Sequence, residues 1–137
     1  MPHATVCLLS ALQVHGLTTE VPHAVWIMID TRARAPKLDT PSIEVVRAHG
    51  AAREHGVERH RVEGVEVWIT SPAKTVADCF RYRRHVGTEV AVAALRDYLA
   101  LSRRRDRPAH VTIDALVAAA QADRVGTVLR PYLEALA

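Results

Sequence analysis

Residues 71–83, Ser-Pro-Ala-Lys-Thr-Val-Ala-Asp-Cys-Phe-Arg-Tyr-Arg, mark the point where the pattern of the chain changes from strands to helices. Ser71 is a typical helix N-cap, and Pro72 suits the first helical position because an N–H there would have no helical partner. We expect a helix from Pro72 to about Val86, ended by Gly87. Its buried side is predicted to be Ala73, Val76, Ala77 and Phe80.

Three more helices are predicted after Gly87. They are expected at residues 88–103, at residues 113–122 with Thr112 as N-cap, and at about residues 124–136, where Pro131 kinks or divides the helix. The segment 103–108 between the first two is a basic loop that ends in Pro108.

One helix and four strands are predicted before Ser71. The helix covers residues 4–15, the strands cover 24–29 and 43–48, and residues 57–69 form a hairpin that turns at Glu63-Gly64. Residues 31–41 are predicted as a loop, and residues 49–56 as a turn region with one helical turn. Segregated strands and helices indicate a single α+β domain over residues 1–137: one helix, a small, mostly antiparallel four-stranded sheet, and a four-helix C-terminal half.

The composition is that of a globular chain, with 49% hydrophobic residues and only 4% aromatic residues. Cys7 and Cys79 both lie in apolar segments, where cysteine behaves as a small buried hydrophobe in a reducing compartment. No signal peptide and no apolar run long enough to span a bilayer is recognisable. We therefore expect a cytoplasmic protein.

The positive charge is concentrated in the C-terminal half. Residues 71–137 carry eleven basic and seven acidic side chains, against seven and eight in residues 1–70, and sixteen of the eighteen bases are arginine. Arginine suits interfaces with carboxylates or phosphates, which leaves protein and nucleic acid both open as partners.

Two groups of basic residues are candidates for a partner-binding surface. On the helix after Ser71, Lys74, Asp78, Arg81 and His85 share one face, which is either a contact surface or an ordinary solvated face with a Lys74–Asp78 pair. The run at 103–107 is either a contact surface or a favourable end to its helix, since cations suit helix C-termini. The candidate residues are Lys74, Arg81, Arg84, Arg103, Arg104, Arg105 and Arg107. Because the helices before and after Gly87 are expected to be antiparallel, the two groups are predicted to form one patch near Lys74.

No catalytic site, cofactor or metal site is predicted. Serines and cysteines do not lie beside a recognisable base, and the six glycines form no phosphate-binding loop. His49, His55 and His60 lack the spacing of zinc ligands. A metal-dependent nuclease that uses Asp30 and Glu44 is a weaker alternative, because the nearest base, Arg47, is on the opposite strand face from Glu44 and stays charged.

Two segments in this order resemble a known family. The first is Val6-Cys7-Leu8-Leu9-Ser10-Ala11-Leu12 through His15-Gly16-Leu17-Thr18-Thr19, closing on residues 22–27, and the second is residues 71–83. Together with Arg130-Pro131-Tyr132-Leu133-Glu134, they resemble the C-terminal domain of AbiEi antitoxins of bacterial type IV toxin–antitoxin systems. The resemblance covers essentially the whole chain.

The resemblance implies a module that counters a nucleotidyltransferase toxin of the AbiEii type, in abortive infection or another defence setting. The family's usual N-terminal winged helix is not seen in this sequence, so autorepression through such a domain is not expected. The alternative from the residues themselves is a DNA-binding transcriptional regulator that uses the basic C-terminal surface. Few aromatics and no clear helix-turn-helix argue against single-strand binding and base readout.

Overall fold

Five strands form one mixed sheet in the order β3-β2-β1-β5-β4 in the computed structural model, which describes residues 4–37 and 40–137. The strands are β1 (Thr5–Val6), β2 (Val25–Asp30), β3 (Ile43–Ala48), β4 (Val57–Val62) and β5 (Val65–Thr70). The helices are α1 (Leu8–His15), α2 (Ala51–Glu54), α3 (Pro72–Arg81), α4 (Arg83–Val86), α5 (Thr88–Ser102), α6 (Ile113–Ala122) and α7 (Gly126–Leu136). The chain is therefore an α+β domain, with its longer helices after the sheet.

The predicted four-stranded, mostly antiparallel sheet is wrong in two respects. The two-residue strand β1 lies at the centre of the sheet, antiparallel to β2 and parallel to β5, and so short a strand has no periodicity to set it apart from the apolar helix that follows. Strand β3 runs parallel to β2, because the residues that join them are numerous enough for a crossover. Residues 38 and 39 of the predicted loop at 31–41 lie outside the described residues.

The hairpin of β4 and β5 is confirmed. The two strands pair antiparallel from Val57↔Thr70 to Val62↔Val65. Glu63 and Gly64 at the turn have φ angles of 51° and 82°, and two successive positive φ angles are typical of the tight turns that match the twist of a hairpin.

The predicted four-helix C-terminal half contains five helices, α3 to α7. The helix expected up to Val86 divides at Tyr82, where the backbone leaves the helical conformation and the side-chain hydroxyl donates to the Arg47 carbonyl of β3 at 2.7 Å. Helix α6 has the predicted bounds, and Pro131 lies inside α7 without dividing it.

Helix α3 is the centre of the packing. It contacts α1, α5, α6 and α7, and all of its residues from Pro72 to Phe80 are buried. Phe80, Leu95 and Leu116 are among the side chains that fill the core between these helices. A helix buried on nearly every side has no solvated face on which charged residues could lie.

Ser71→Ala is expected to lower the free energy of unfolding by about 1 kcal/mol, because Ser71 Oγ accepts the Lys74 backbone N–H at 3.1 Å and caps α3. Urea denaturation measures this. A Ser71→Ala protein as stable as the wild type would refute this capping role.

Candidate functional site

Lys74 lies in the protein interior, with no exposed side-chain surface. The prediction that it projects from a partner-binding face is therefore wrong. Its Nζ lies 2.5 Å from Asp78 Oδ1 and 3.1 Å from Asp123 Oδ1, and both carboxyl groups are equally buried. The three side chains form a buried triad that joins α3 to the segment between α6 and α7.

The triad contains one base and two acids, so its charges balance only if one acid keeps its proton. Burial raises the pKa of Asp78 well above its usual value, Lys74 lowers it by less, and the neighbouring Asp123 carboxyl adds to the rise. Burial alone would lower the pKa of Lys74, but the two carboxyl groups outweigh it and raise that pKa. The balance of charge and the raised pKa of Asp78 indicate that Asp78 is the acid that keeps its proton beside the Lys74 ammonium.

Asp78→Asn is expected to reveal this proton through the pH dependence of stability. Unfolded Asp78 ionises near its ordinary pKa of about 3.9, whereas the folded group keeps its proton to higher pH. The stabilising effect of Asp78 is then complete below about pH 4 and is lost as the pH rises through the folded pKa. Asn stays neutral and has no such dependence.

Denaturation of the wild type and Asp78→Asn at pH 5 and pH 8 measures the effect. The difference in stability, wild type minus variant, should be more positive at pH 5. A difference that is equal at both pH values, or larger at pH 8, would contradict the protonated acid.

The backbone before α3 fits closely around the triad. Gly56 has a φ of 69°, and a Cβ atom at this position would lie 2.7 Å from the Lys74 Cβ and 2.9 Å from the Ser71 Oγ. The Ser71 N–H donates to the Gly56 carbonyl at 2.7 Å. Residue 56 must therefore be glycine for both conformational and steric reasons.

The other basic residues predicted to be exposed on the helix after Ser71 differ in their exposure to solvent. Arg81 is half-buried and donates from Nη1 to the Asp123 carbonyl at 2.9 Å, so it supports the same junction as the triad. Arg84 and His85 are exposed. Of the three candidate partner-binding residues of this predicted helix, Lys74, Arg81 and Arg84, Arg84 alone is exposed.

The arginines of the loop after α5 are all exposed, as a partner-binding surface requires. Arg104 forms a two-pronged bond with Asp106 at 2.9 and 2.7 Å, and Arg107 donates to the Ser102 carbonyl at 3.1 Å. Arg103 donates to the Leu136 carbonyl at 3.3 Å. Within residues 4–37 and 40–137, Arg105 has no hydrogen-bond or ion-pair partner. We define Arg103, Arg104, Arg105 and Arg107 as the arginine loop.

The end of the segment that contains the arginine loop is held against the sheet by a histidine cluster that the sequence analysis does not predict. Glu58 of β4 lies 3.1 Å from His60 Nε2 and 3.0 Å from His110 Nε2, one through each carboxylate oxygen. The ring of His15 lies 5.9 Å from that of His60, and its Nε2 donates to the Thr70 carbonyl at 2.7 Å. Burial lowers the pKa of His15, and the Thr70 bond opposes this.

The contact between His110 and Glu58 places the segment after α5 against β4. Glu58 is paired with Ile69 of β5, so this segment also lies close to the strand that leads into α3. The two groups of basic residues nevertheless do not form a patch around Lys74, because Lys74 is buried. The positions of His15, His60 and His110 in the sequence give no sign that these residues lie close together. The sequence likewise gives no sign that Asp123 lies beside Lys74.

The weaker nuclease interpretation does not fit the sheet. Glu44 is opposite Trp26, whereas Asp30 is opposite Ala48, so four residues, or about 13 Å, separate the two acids along the strands. Among the described residues no group of three or more histidine, cysteine or acidic side chains is arranged to hold a metal ion. That the protein binds no metal stays a prediction.

Comparison with known proteins assigns no family to this chain. No protein-family model matches it, and no curated protein is significantly similar to it. None of the helices in the described part of the chain is long and apolar enough to cross a membrane. The functional assignment therefore depends on the residues themselves and on the resemblance described above.

Proposed function

We propose that this chain is a non-catalytic antitoxin module that counters a nucleotidyltransferase toxin by binding it. The observation that carries the proposal is the arginine loop, which presents four exposed arginines within five residues of sequence. Exposed arginines contribute little to folding, so such a concentration is better explained by a partner than by stability. The resemblance to AbiEi antitoxins names the class of partner.

The chemistry of the partner fits the charge of the loop. Enzymes that transfer nucleotidyl groups use metal ions held by carboxylates, so their active sites are rich in acidic groups. A positive loop is attracted to such a surface at long range and can form bidentate bonds with its carboxylates.

The buried triad supports a binding role more than a catalytic one. Burial raises the pKa of Asp78 well above its usual value, but none of the side chains of Lys74, Asp78 and Asp123 is accessible to a substrate. Burial also raises the pKa of Cys7 and of Cys79, which makes both thiols poor nucleophiles. We place the action of the module in the cytoplasm, where such free thiols stay reduced.

Growth rescue tests the proposal. The chain is expressed together with an AbiEii-type nucleotidyltransferase toxin, and colony counts are compared with those of cells that carry the toxin and an empty vector. We expect rescue by the wild-type chain. Continued growth arrest, with the chain shown to be folded and abundant, would refute the antitoxin function.

A DNA-binding regulator is the second candidate, because the same exposed arginines suit phosphates. A gel-shift titration with a duplex of the gene's own upstream region tests it. Binding at physiological salt that exceeds binding to a scrambled duplex would favour this alternative.

A further inference from the structure

A groove of about 330 Å³ lies between α6 and α7, which are joined by only three residues. The buried side chains of Ala120 and Leu129 line it, together with the more exposed apolar residues Val117 and Leu133. Arg130 is the charged residue in the lining. The groove is therefore mostly apolar with one positive edge.

Helix α6 extends this apolar surface towards its own N-terminus. Ile113 and Val117 are 42% and 40% exposed, which is unusual for residues of this size in the helical half of the domain. They lie four residues apart and so share one side of the helix. On α7 the lining of the groove runs from Gly126 to Leu133, which is about 12 Å or roughly two helical turns.

The arginine loop lies next to one end of this groove. Arg103 donates to the Leu136 carbonyl, one turn beyond Leu133, and the segment that contains the loop leads directly into α6 at Ile113. An occupant of the groove would therefore have Arg130 along its side and the arginine loop at its end.

We propose that the groove between α6 and α7 is the docking site for one amphipathic, acidic helix of a protein partner. Apolar side chains one turn apart on that helix fill the groove, as in other helix-in-groove interfaces, and its Asp and Glu residues face Arg130 and the arginine loop. A nucleic-acid backbone would satisfy the arginines but has no apolar group to fill the space beside Val117 and Leu133. This inference rests on the proposed function, for which it names the contact surface.

Calorimetric titration of the purified nucleotidyltransferase toxin into the purified chain tests the groove. Val117→Asp puts a negative charge where the apolar side of the partner's helix would lie, and we expect this variant to bind the toxin at least tenfold more weakly. Val62→Asp is the matched control, since Val62 is similarly exposed at 46% but lies at the hairpin tip. Arg130→Glu is a second variant at an exposed position, expected to weaken binding to a similar extent without affecting the fold.

The outcomes separate the inference from the function. If the wild type binds and both Val117→Asp and Arg130→Glu bind equally well, the groove is refuted and the antitoxin function stands. If the wild type neither binds nor rescues growth, both fail. A DNA duplex that binds the chain and is weakened by Arg130→Glu but not by Val117→Asp would assign the surface to nucleic acid and overturn the inference.

Discussion

Lys74→Ala is expected to lower the free energy of unfolding by about 3–5 kcal/mol, the cost of removing one partner from a buried ion pair. Asp78 and Asp123 would lose the ammonium that lies within 3.1 Å of both, in a region without solvent. One buried negative charge would then lack its counter-ion, and an unpaired buried charge is costly. The substitution also removes the alkyl chain of Lys74 from the centre of the helical packing and leaves a cavity.

Chemical denaturation of the Lys74→Ala variant and of the control variant Lys37→Ala measures the free energy of unfolding of each. Lys37 is the other lysine of the chain and is exposed, so its substitution should change stability by less than about 0.5 kcal/mol. Replacing all three triad residues, as in Lys74→Met with Asp78→Leu and Asp123→Leu, should cost less than Lys74→Ala, since no buried charge is left unpaired. A Lys74→Ala protein as stable as Lys37→Ala would refute the triad as a structural element.

Reversing Arg103, Arg104 and Arg105 to Glu is expected to weaken binding to the partner at least about tenfold, or roughly 1.4 kcal/mol, and so to reduce growth rescue. The three side chains are exposed, and their bonds are to Leu136 and Asp106 at the surface, so folding should be nearly unchanged. The change replaces a positive loop by a negative one, and the long-range attraction to an acidic partner becomes repulsion.

A matched variant distinguishes the effect of the position of these arginines from the effect of the net charge of the chain. Arg32, Arg34 and Lys37 are all exposed in the segment between β2 and β3, at the opposite edge of the sheet from the strand that contacts His110. Their reversal to Glu changes the net charge by the same amount and should leave rescue intact. Equal loss of rescue by both triple variants would mean that net charge, and not the arginine loop, is responsible.

Local signals in the sequence predict the starts of two helices and the hairpin. Ser71 with Pro72, and Thr112, begin helices where capping predicts, and Glu63-Gly64 forms the predicted turn. These features depend on residues close together in the chain, whose conformational preferences act in any context. The same holds for strand β3, which has the predicted bounds.

Long-range pairing is where the sequence was insufficient. The two residues of β1 become a strand only because β2 and β5 lie on either side of them. Lys74 and Asp78 have the spacing of an exposed ion pair, and nothing in their own helix shows that Asp123 covers them from forty-five residues further along. A charged face can be interior when a second element adds a partner for its charged groups, which periodicity within one helix cannot reveal.

One comparison tests most directly whether the chain acts by binding through its exposed arginines. It compares growth rescue by the Asp78→Asn variant with growth rescue by the variant in which Arg103, Arg104 and Arg105 are all replaced by Glu. Asn keeps the shape of Asp78 but removes its capacity to exchange a proton. If the triad is structural, Asp78→Asn protein that is folded and abundant should rescue growth as well as the wild type, while the arginine reversal should not. Loss of rescue by folded Asp78→Asn, with full rescue by the arginine reversal, would contradict the binding function and point to chemistry at the triad.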